Sequence, residues 1–295
     1  MDGLNPTLEI RPPDRREMLA IFIRDSAVKL FGLTAKLGLR RLPLFDRAFL
    51  ALYAIYKERF EAGPIDRLKE FVPEGALVID VGANVGFFAL RFARWVGDGG
   101  KVIAIEPEDR NYDSLLRALD KAGLSKRVEP LKAVAAAAAG KLSLEINPLH
   151  PADHKISRDG TGLQVNAVTL DALVPDTAKL RPALVKIDVQ GAEMMVLKGA
   201  TDILTIAGPA LFVELHEGGL NMYGSSISAI MDHLSQFGYE AYWLQPTGPH
   251  RKTSAKEIHA TASDTNYVDV LFLKPSPAGV AGDSAGPAAD NSGRR

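Results

Sequence analysis

The chain has 295 residues, of which 46% are hydrophobic and 24% are charged, and this composition excludes a wholly disordered or fibrous protein. The net charge of -1 provides no overall electrostatic attraction to nucleic acid. Because cysteine is absent, disulfides, thiolate metal sites and cysteine nucleophiles are also excluded.

Four regions of different composition predict the domain organisation. Residues 1–14 are predicted to be an irregular leader and residues 15–72 a helical cap. Residues 73–274 alternate β-branched runs with helical periods and form the main domain, whereas residues 275–295 are rich in small and polar residues, which predicts a disordered tail. The beginning of the chain lacks the pattern of a secretory signal and no apolar stretch reaches about 18 residues, so we expect a cytoplasmic protein.

The predicted cap interleaves basic and apolar residues over residues 15–56. A basic amphipathic helix can lie on a membrane surface, so peripheral membrane contact is one expectation for this segment. The alternative is a cap that packs on the main domain and leaves its basic side chains in solvent. Nothing in the sequence indicates an oligomeric state.

In the main domain, alternating strands and helices predict an α/β fold with a mainly parallel, seven-stranded sheet. The predicted strands are residues 76–81, 101–106, 128–134, 184–189, 211–215, 239–244 and 267–273. The predicted helices are residues 87–96, 112–122, 192–204 and 227–237. Residues 142–146 and 163–168 alternate in polarity and predict an antiparallel excursion. The alanine run at residues 135–139 is interpreted as a connection.

The first predicted strand runs into the pattern D-x-G-x-x-x-G, and ligands of parallel sheets bind at such carboxyl ends. Asp80 can accept hydrogen bonds from an amino group, Gly82 permits a tight turn with close ligand approach, and Gly86 permits close packing of helix and strand. Asn84 takes the place of the middle glycine of the dinucleotide motif, so the match to NAD is poor. S-adenosylmethionine methyltransferases use this pattern, since they hold no pyrophosphate.

The second predicted strand ends at Glu106, which precedes a proline. An acidic side chain at this position can accept hydrogen bonds from both hydroxyls of a ribose. Together with the glycine-containing turn, it predicts a nucleoside-type cofactor site. The candidate cofactor-binding residues are therefore Asp80, Gly82, Asn84, Gly86 and Glu106.

With these residues and several further motifs, the chain resembles the FkbM methyltransferases. The motifs that carry the resemblance are residues 80–88, 105–107, 169–171, 186–193, 196–200 and 213–216, in the order of the family. It extends over about residues 60–274 and implies a class I, Rossmann-like, S-adenosylmethionine-dependent methyltransferase fold. The family usually methylates a hydroxyl of a sugar or a secondary metabolite. Many members have glutamate where this chain has Gln190, which removes one carboxylate from that position.

Methyl transfer to a hydroxyl requires alignment of the oxygen, together with a general base or a metal that lowers the pKa of the hydroxyl. Asp188, at the end of the fourth core strand, is the first candidate for base, acceptor orientation or metal ligation. His154, in the polar loop of residues 148–162, is the second candidate because imidazole titrates near neutral pH. Its neighbour Asp153 is a candidate for substrate contact.

Three further residues are candidates for substrate contact or for support of the site. Glu193 lies at the start of a predicted helix. Its alternative role is to cap the helix or to hold the local backbone in place. Glu214 and His216 share one face at the end of the fifth strand, where they can present two ligands or a base with its partner. A divalent metal, if present, would be bound by Asp188, Glu214 and His216, but their spacing alone does not decide this.

The sequence thus predicts an S-adenosylmethionine-dependent O-methyltransferase that acts on a small-molecule or glycan acceptor and not on nucleic acid. One alternative is an NAD(P)-dependent dehydrogenase on a similar fold. The other is a methyltransferase-like binding module that has lost catalysis. Hydrolase and P-loop chemistry are disfavoured, because neither the G-x-S-x-G nor the G-x-x-x-x-G-K-[ST] motif occurs.

Overall fold

The computed structural model describes residues 65–147, 154–265 and 267–275. The predicted leader, most of the predicted cap, Asp153 and nearly all of the predicted tail lie outside the described residues. The last part of the predicted cap is a 3-10 helix, Asp66–Phe71, whose Leu68 is completely buried in the core. Within the described ranges, no helix is both long enough and apolar enough to cross a lipid bilayer.

The described chain alternates strands and helices, as the sequence predicts. Its strands are β1 (Leu77–Val81), β2 (Lys101–Ile105), β3 (Val128–Leu131), β4 (Val134–Ala135), β5 (Gly140–Glu145), β6 (Lys155–Ile156), β7 (Leu163–Val168), β8 (Pro182–Ile187), β9 (Ala210–Leu215), β10 (Glu240–Trp243), β11 (Arg251–Lys252) and β12 (Val268–Leu273). Its α-helices are α1 (Phe87–Trp95), α2 (Asp109–Ala122), α3 (Leu170–Leu173), α4 (Glu193–Lys198), α5 (Glu217–Met222), α6 (Ile227–Ser235) and α7 (Ala255–Thr265).

The main sheet has eight strands in the order β11-β10-β12-β9-β8-β1-β2-β3. The pairings β1–β2, β1–β8, β2–β3 and β8–β9 are parallel, whereas β9–β12, β12–β10 and β10–β11 are antiparallel. The predicted α/β class is confirmed, but the predicted seven-stranded, mainly parallel sheet is not, since the sheet is mixed and has an eighth strand. That strand, β11, has only two residues, and so short a segment leaves no periodicity in the sequence.

A second, four-stranded sheet has the order β4-β7-β5-β6. Its strands β5 and β7 pair antiparallel, which confirms the predicted excursion. The predicted third strand, residues 128–134, is divided, because β3 stays in the main sheet while β4 pairs with β7. The alanine run thus begins in a strand of the second sheet and is not merely a connection.

Two helix boundaries differ from the prediction for local reasons. Helix α2 begins earlier than predicted because the Glu108 carboxylate caps it and accepts the backbone N–H of Asn111 at 2.8 Å. The predicted helix of residues 192–204 is divided into α4 and a π-helical turn, Ile203–Ala207. At the break, a Cβ on Gly199 would lie only 2.1 Å from the carbonyl oxygen of Ala136, so the second sheet packs directly on this backbone.

The helices cover both faces of the main sheet, as expected for strands with continuous apolar runs. Successive residues of β1 face opposite sides, so Val78 packs with Phe92 of α1 and Leu115 of α2. On the other face, Ile79 packs in the core cluster that also contains Val196 of α4. This three-layer arrangement leaves the carboxyl ends of the central strands as the place for a site.

Replacing Leu115 with alanine should destabilise the fold by about 2–5 kcal/mol, because a cavity forms in a fully buried position between α2 and the start of α1. The matched control is Leu116→Ala on the same helix, where the side chain is 38% exposed and the expected loss is below about 1 kcal/mol. Urea unfolding measures both values. Equal losses in the two variants would contradict the packing described for α2.

Candidate active site

A cleft opens at the carboxyl ends of β1, β2 and β8, where the strand order reverses from the β2–β3 side to the β8–β9 side. The space within the cleft and its open mouth is about 960 Å³. The second sheet forms the opposite wall. The lining includes Gly82, Asn84, Phe88, Glu106, Asn111, Ala135, Leu144, His154, Ile156, Lys186, Asp188 and Gln190.

The two glycines of the turn after β1 each allow close packing of the chain. A Cβ on Gly82 would lie 1.9 Å from the carbonyl oxygen of Asp188, so the loop after β8 approaches this glycine closely. A Cβ on Gly86 would lie 2.8 Å from Leu115 Cδ1, so this glycine lets α1 pack against α2 and not against a strand. Gly82 lines the cleft, and Gly86 stands behind it as the first residue before α1.

Glu106 is the buried acid of the cleft, with only 4% of its surface exposed. One carboxylate oxygen accepts the backbone N–H of Asn84 at 2.9 Å and the other accepts that of Glu108 at 3.0 Å. Asn84 has a positive φ of 49°, a conformation that asparagine tolerates better than most residues. Burial raises the pKa of Glu106 to about 7, although both amide contacts lower it.

Asp80 is completely buried below the cleft and does not line it. Its carboxylate lies 3.4 Å from the ammonium nitrogen of Lys186, and this ammonium group donates to the carbonyl oxygen of Gly82 at 2.9 Å. The Asp80 carboxyl group has no exposed surface and stands outside the cleft lining, so its expected contact with a cofactor stays a prediction. In this structure Asp80 supports Lys186, which ties the end of β8 to the turn after β1.

Asp188 directly follows β8 and is open to the cleft, with 28% of its side chain exposed. One carboxylate oxygen lies 3.4 Å from the Lys186 ammonium nitrogen, and the other accepts the side-chain amide of Gln190 at 3.1 Å. Both contacts fix the orientation of the carboxyl group. The structure therefore places a fixed carboxylate at the edge of the cleft.

Gln190 connects Asp188 to a second acid behind it. Its backbone has a positive φ of 56°, and its side-chain amide also donates to the carboxylate of Glu214 at 3.0 Å. Burial, and next the charge of Asp188, raise the pKa of Glu214 well above its ordinary value. Glu214 supports Asp188 from outside the cleft lining.

The three residues proposed for a metal do not converge on one point. The carboxyl groups of Asp188 and Glu214 interact directly with each other, and both also accept the Gln190 side-chain amide. The ring of His216 instead packs over the backbone of the following turn, where a Cβ on Gly218 would lie 3.1 Å from its Nε2 atom. Over the ranges 65–147, 154–265 and 267–275, no group of three or more acidic or histidine side chains has an arrangement that could hold a metal ion.

Glu193 braces the backbone that precedes α4. One of its carboxylate oxygens accepts the N–H groups of Val189 at 3.3 Å and Gly191 at 3.0 Å. The side chain is 2% exposed, and burial raises its pKa to about 7. The structure thus places Glu193 in the alternative role considered for it and away from the cleft.

Replacing Glu193 with glutamine should change how stability depends on pH. Because the pKa of Glu193 rises from 4.5 to about 7 on folding, the folded protein binds more protons between these pH values and the wild type loses stability as pH increases through this range. The variant lacks this pH-dependent contribution. The free energy of unfolding of the variant, relative to that of the wild type, should therefore increase by about 3 kcal/mol from pH 4 to pH 8. Denaturant unfolding across this range checks it, and a difference that is constant with pH would contradict it.

His154 and Asp188 both line the cleft, and His154 stands next to β6 of the second sheet. Its Nδ1 accepts the backbone N–H of Asn147 at 3.2 Å, and its Nε2 lies 4.0 Å from the carboxylate of Glu108. The other predicted residue of this loop, Asp153, lies outside the described residues.

Two residues that the sequence did not single out for the site are central to it. Lys186 and Asp188 are two residues apart along the strand, so their side chains share one face of the sheet. This spacing is the sequence signal that could have placed Lys186 in the site. Its contacts depend on β1 and β8 being neighbours, which the spacing does not reveal. Gln190 has no sequence signal for its bridging role, because Glu214 is supplied by another strand.

A doubly wound sheet with a buried acid after its second strand, and a cleft at the reversal of strand order, is an arrangement typical of α/β proteins that bind nucleoside-type ligands. Comparison with known proteins makes the assignment more specific. The methyltransferase FkbM domain matches residues 80–241, and the chain therefore belongs to the FkbM methyltransferase family. The resemblance seen in the sequence is thus confirmed.

Two characterised relatives are methyltransferases. The chain is 31% identical over 168 residues to hexuronic acid methyltransferase AglP of Haloferax volcanii, covering 57% of this chain and 67% of the relative. It is 29% identical over 195 residues to methyltransferase sdnD of Sordaria araneosa, covering 55% of this chain and 74% of the relative.

Solved structures of similar fold include an S-adenosylmethionine-dependent methyltransferase from Aquifex aeolicus. It has 17% identity and a TM-score of 0.38, covering 71% of this chain and 88% of the other. An S-adenosylmethionine-dependent O-methyltransferase from Thermotoga maritima has 15% identity and a TM-score of 0.39, covering 73% of this chain and 65% of the other. Because both TM-scores are low, the description of the fold rests on the strand order alone.

Proposed function

We propose that the protein is an S-adenosylmethionine-dependent O-methyltransferase. The observation that carries this proposal is Glu106, a buried carboxylate that lines the cleft at the position suited to two ribose hydroxyls. Each of its oxygens is already oriented by a backbone N–H group, which keeps the acceptor geometry fixed. Membership of a methyltransferase family supports the same cofactor.

The charges of the cleft fit this cofactor better than a dinucleotide. Among the described lining residues, the basic side chains are Lys186 and His154. The Lys186 ammonium group is engaged by Gly82, Asp80 and Asp188, so it does not face a pyrophosphate. The NAD(P)-dependent alternative therefore lacks a phosphate-binding cation in the described part of the chain, in addition to the missing glycine at Asn84.

Glu106 and the backbone of the turn that contains Gly82 and Asn84 would hold the cofactor, while Asp80 acts only through Lys186. When bound, S-adenosylmethionine supplies a methyl group already activated by the sulfonium centre. The chain itself must exclude water and fix the acceptor. The second sheet serves the first purpose, since Leu144 and Ile156 give the cleft an apolar wall.

Asp188 is proposed as the general base. With S-adenosylmethionine bound as the methyl donor, the Asp188 carboxylate would take up the proton that the acceptor hydroxyl loses. Lys186 and Gln190 orient this carboxylate, and Glu214 supports it from behind. No step in this scheme requires the set of Asp188, Glu214 and His216 to bind a metal.

The proposed acceptor is a hydroxyl of a sugar, glycan or other small molecule. The name of the Haloferax volcanii relative, a hexuronic acid methyltransferase, supports a sugar-type acceptor. Peripheral membrane contact through residues 15–56 stays a prediction, because that segment lies outside the described residues.

The proposal is tested by calorimetry with S-adenosylhomocysteine, alongside a fluorescence titration with NADH. Binding of the first compound and not the second is expected. Labelled methyl transfer is then measured on hexuronosides, neutral glycosides and phenols, with the modified atom located by mass spectrometry. A folded protein that does not bind S-adenosylhomocysteine would end the proposal, whereas binding without transfer to any acceptor would favour a catalytically silent binding module.

A further inference from the structure

His154 lies where the second sheet meets the main sheet. It immediately precedes β6 and lines the cleft, although its side chain is only 10% exposed. Because its Nδ1 accepts the N–H of Asn147, the neutral ring carries its proton on Nε2. The imidazole thus has a fixed tautomer and a fixed orientation.

The Nε2 side of the ring faces the acids that surround the nucleoside end of the cleft. Its distance of 4.0 Å from Glu108 is longer than a hydrogen bond but places the two groups side by side. The backbone N–H of Glu108 in turn donates to Glu106 at 3.0 Å. His154 is therefore joined through one residue to the carboxylate proposed to bind the ribose.

This geometry does not suit a general base for the acceptor. The Nδ1 lone pair is used by Asn147, and Nε2 holds the proton in the tautomer that this contact selects. A residue at this place can contact the nucleoside half of a ligand more directly than the reacting hydroxyl.

We infer that His154 is a cofactor-positioning residue that closes the adenosyl end of the cleft, and not a base. This inference rests on the proposed function, since it concerns the same cofactor. An imidazole offers a planar ring surface to a purine or a ribose, and aromatic contacts with a base contribute about 1–3 kcal/mol in nucleic-acid complexes. The second sheet thereby provides a side chain to a site otherwise built from the main sheet.

The test compares wild type with His154→Ala and His154→Asn, using S-adenosylhomocysteine and its nucleoside half, 5′-methylthioadenosine, in calorimetry. The side-chain oxygen of an asparagine can still accept the Asn147 backbone N–H. His154→Asn therefore replaces His154→Ala if the alanine variant does not fold. Thermal unfolding verifies that each variant is folded. The control is His259→Ala, because His259 lies on α7 against Glu217 and Ser228, outside the cleft lining.

We expect both His154 variants to weaken the two ligands by the same factor, about tenfold, while turnover at saturating cofactor stays within about threefold of wild type. A merely structural role would not produce equal losses on the two ligands in variants with unchanged thermal stability. Unchanged affinity with a hundredfold loss of turnover would overturn the inference and restore the role of base. If wild type itself does not bind S-adenosylhomocysteine, the proposed function fails, which is a result distinct from either outcome.

Discussion

Replacing Glu106 with alanine is expected to weaken the binding of S-adenosylhomocysteine about ten- to a hundredfold, which corresponds to roughly 1–3 kcal/mol. The variant removes both acceptors for the ribose hydroxyls. It also releases the N–H groups of Asn84 and Glu108, which the carboxylate orients in the wild type. Calorimetry of the folded variant measures the loss.

The affinity of the wild type should also depend on pH. Because burial raises the pKa of Glu106 to about 7, most of the carboxyl group is protonated at pH 6 and ionised at pH 8. Only the ionised form accepts hydrogen bonds on both oxygens, so the dissociation constant should fall about tenfold from pH 6 to pH 8. Glu106→Gln cannot ionise and should bind weakly with little dependence on pH.

Glu129→Gln is the matched control for these measurements, because Glu129 lies on β3 with 60% of its side chain exposed and pairs only with Lys101 at the surface. Its affinity and pH profile should equal those of the wild type. A Glu106→Ala variant that binds as tightly as the wild type would remove the central support for the proposed cofactor site.

Replacing Asp188 with asparagine should lower the rate of methyl transfer by about 10²–10⁴ while cofactor affinity changes little. Asparagine can still accept the Gln190 amide, so the loop keeps its shape, but it cannot take up the acceptor proton. Single-turnover measurement with labelled S-adenosylmethionine and an acceptor found active separates this effect from binding. The expected result is a fall in kcat with an unchanged cofactor KM.

Asp176→Asn is the control for the second prediction, since Asp176 is partly exposed and forms a local ion pair with Lys179. It should show wild-type turnover. Unchanged turnover in Asp188→Asn would show that the proton is removed by another group or by solvent, and the role of Asp188 would then be limited to orientation of the acceptor.

Local sequence patterns were sufficient to locate the turn after β1, the acid after β2 and the carboxylate after β8. Each of these lies at the end of an apolar run, and the order of strands and helices requires such ends to meet at one edge of a sheet. The division of residues 128–134 between two sheets was not predictable, because β4 is stabilised only by its pairing with β7. The same holds for β11, whose two residues depend on β10.

The sequence by itself determined the family, the doubly wound core and the positions of Glu106 and Asp188, because these depend on short-range patterns that fold alike wherever they occur. Only the tertiary structure decided that Asp80 is buried, that Gln190 bridges two acids and that His154 stands beside Glu108. The physical reason is that each of these roles depends on a partner from a distant strand, and the distance between strands is not encoded in the spacing along any one of them.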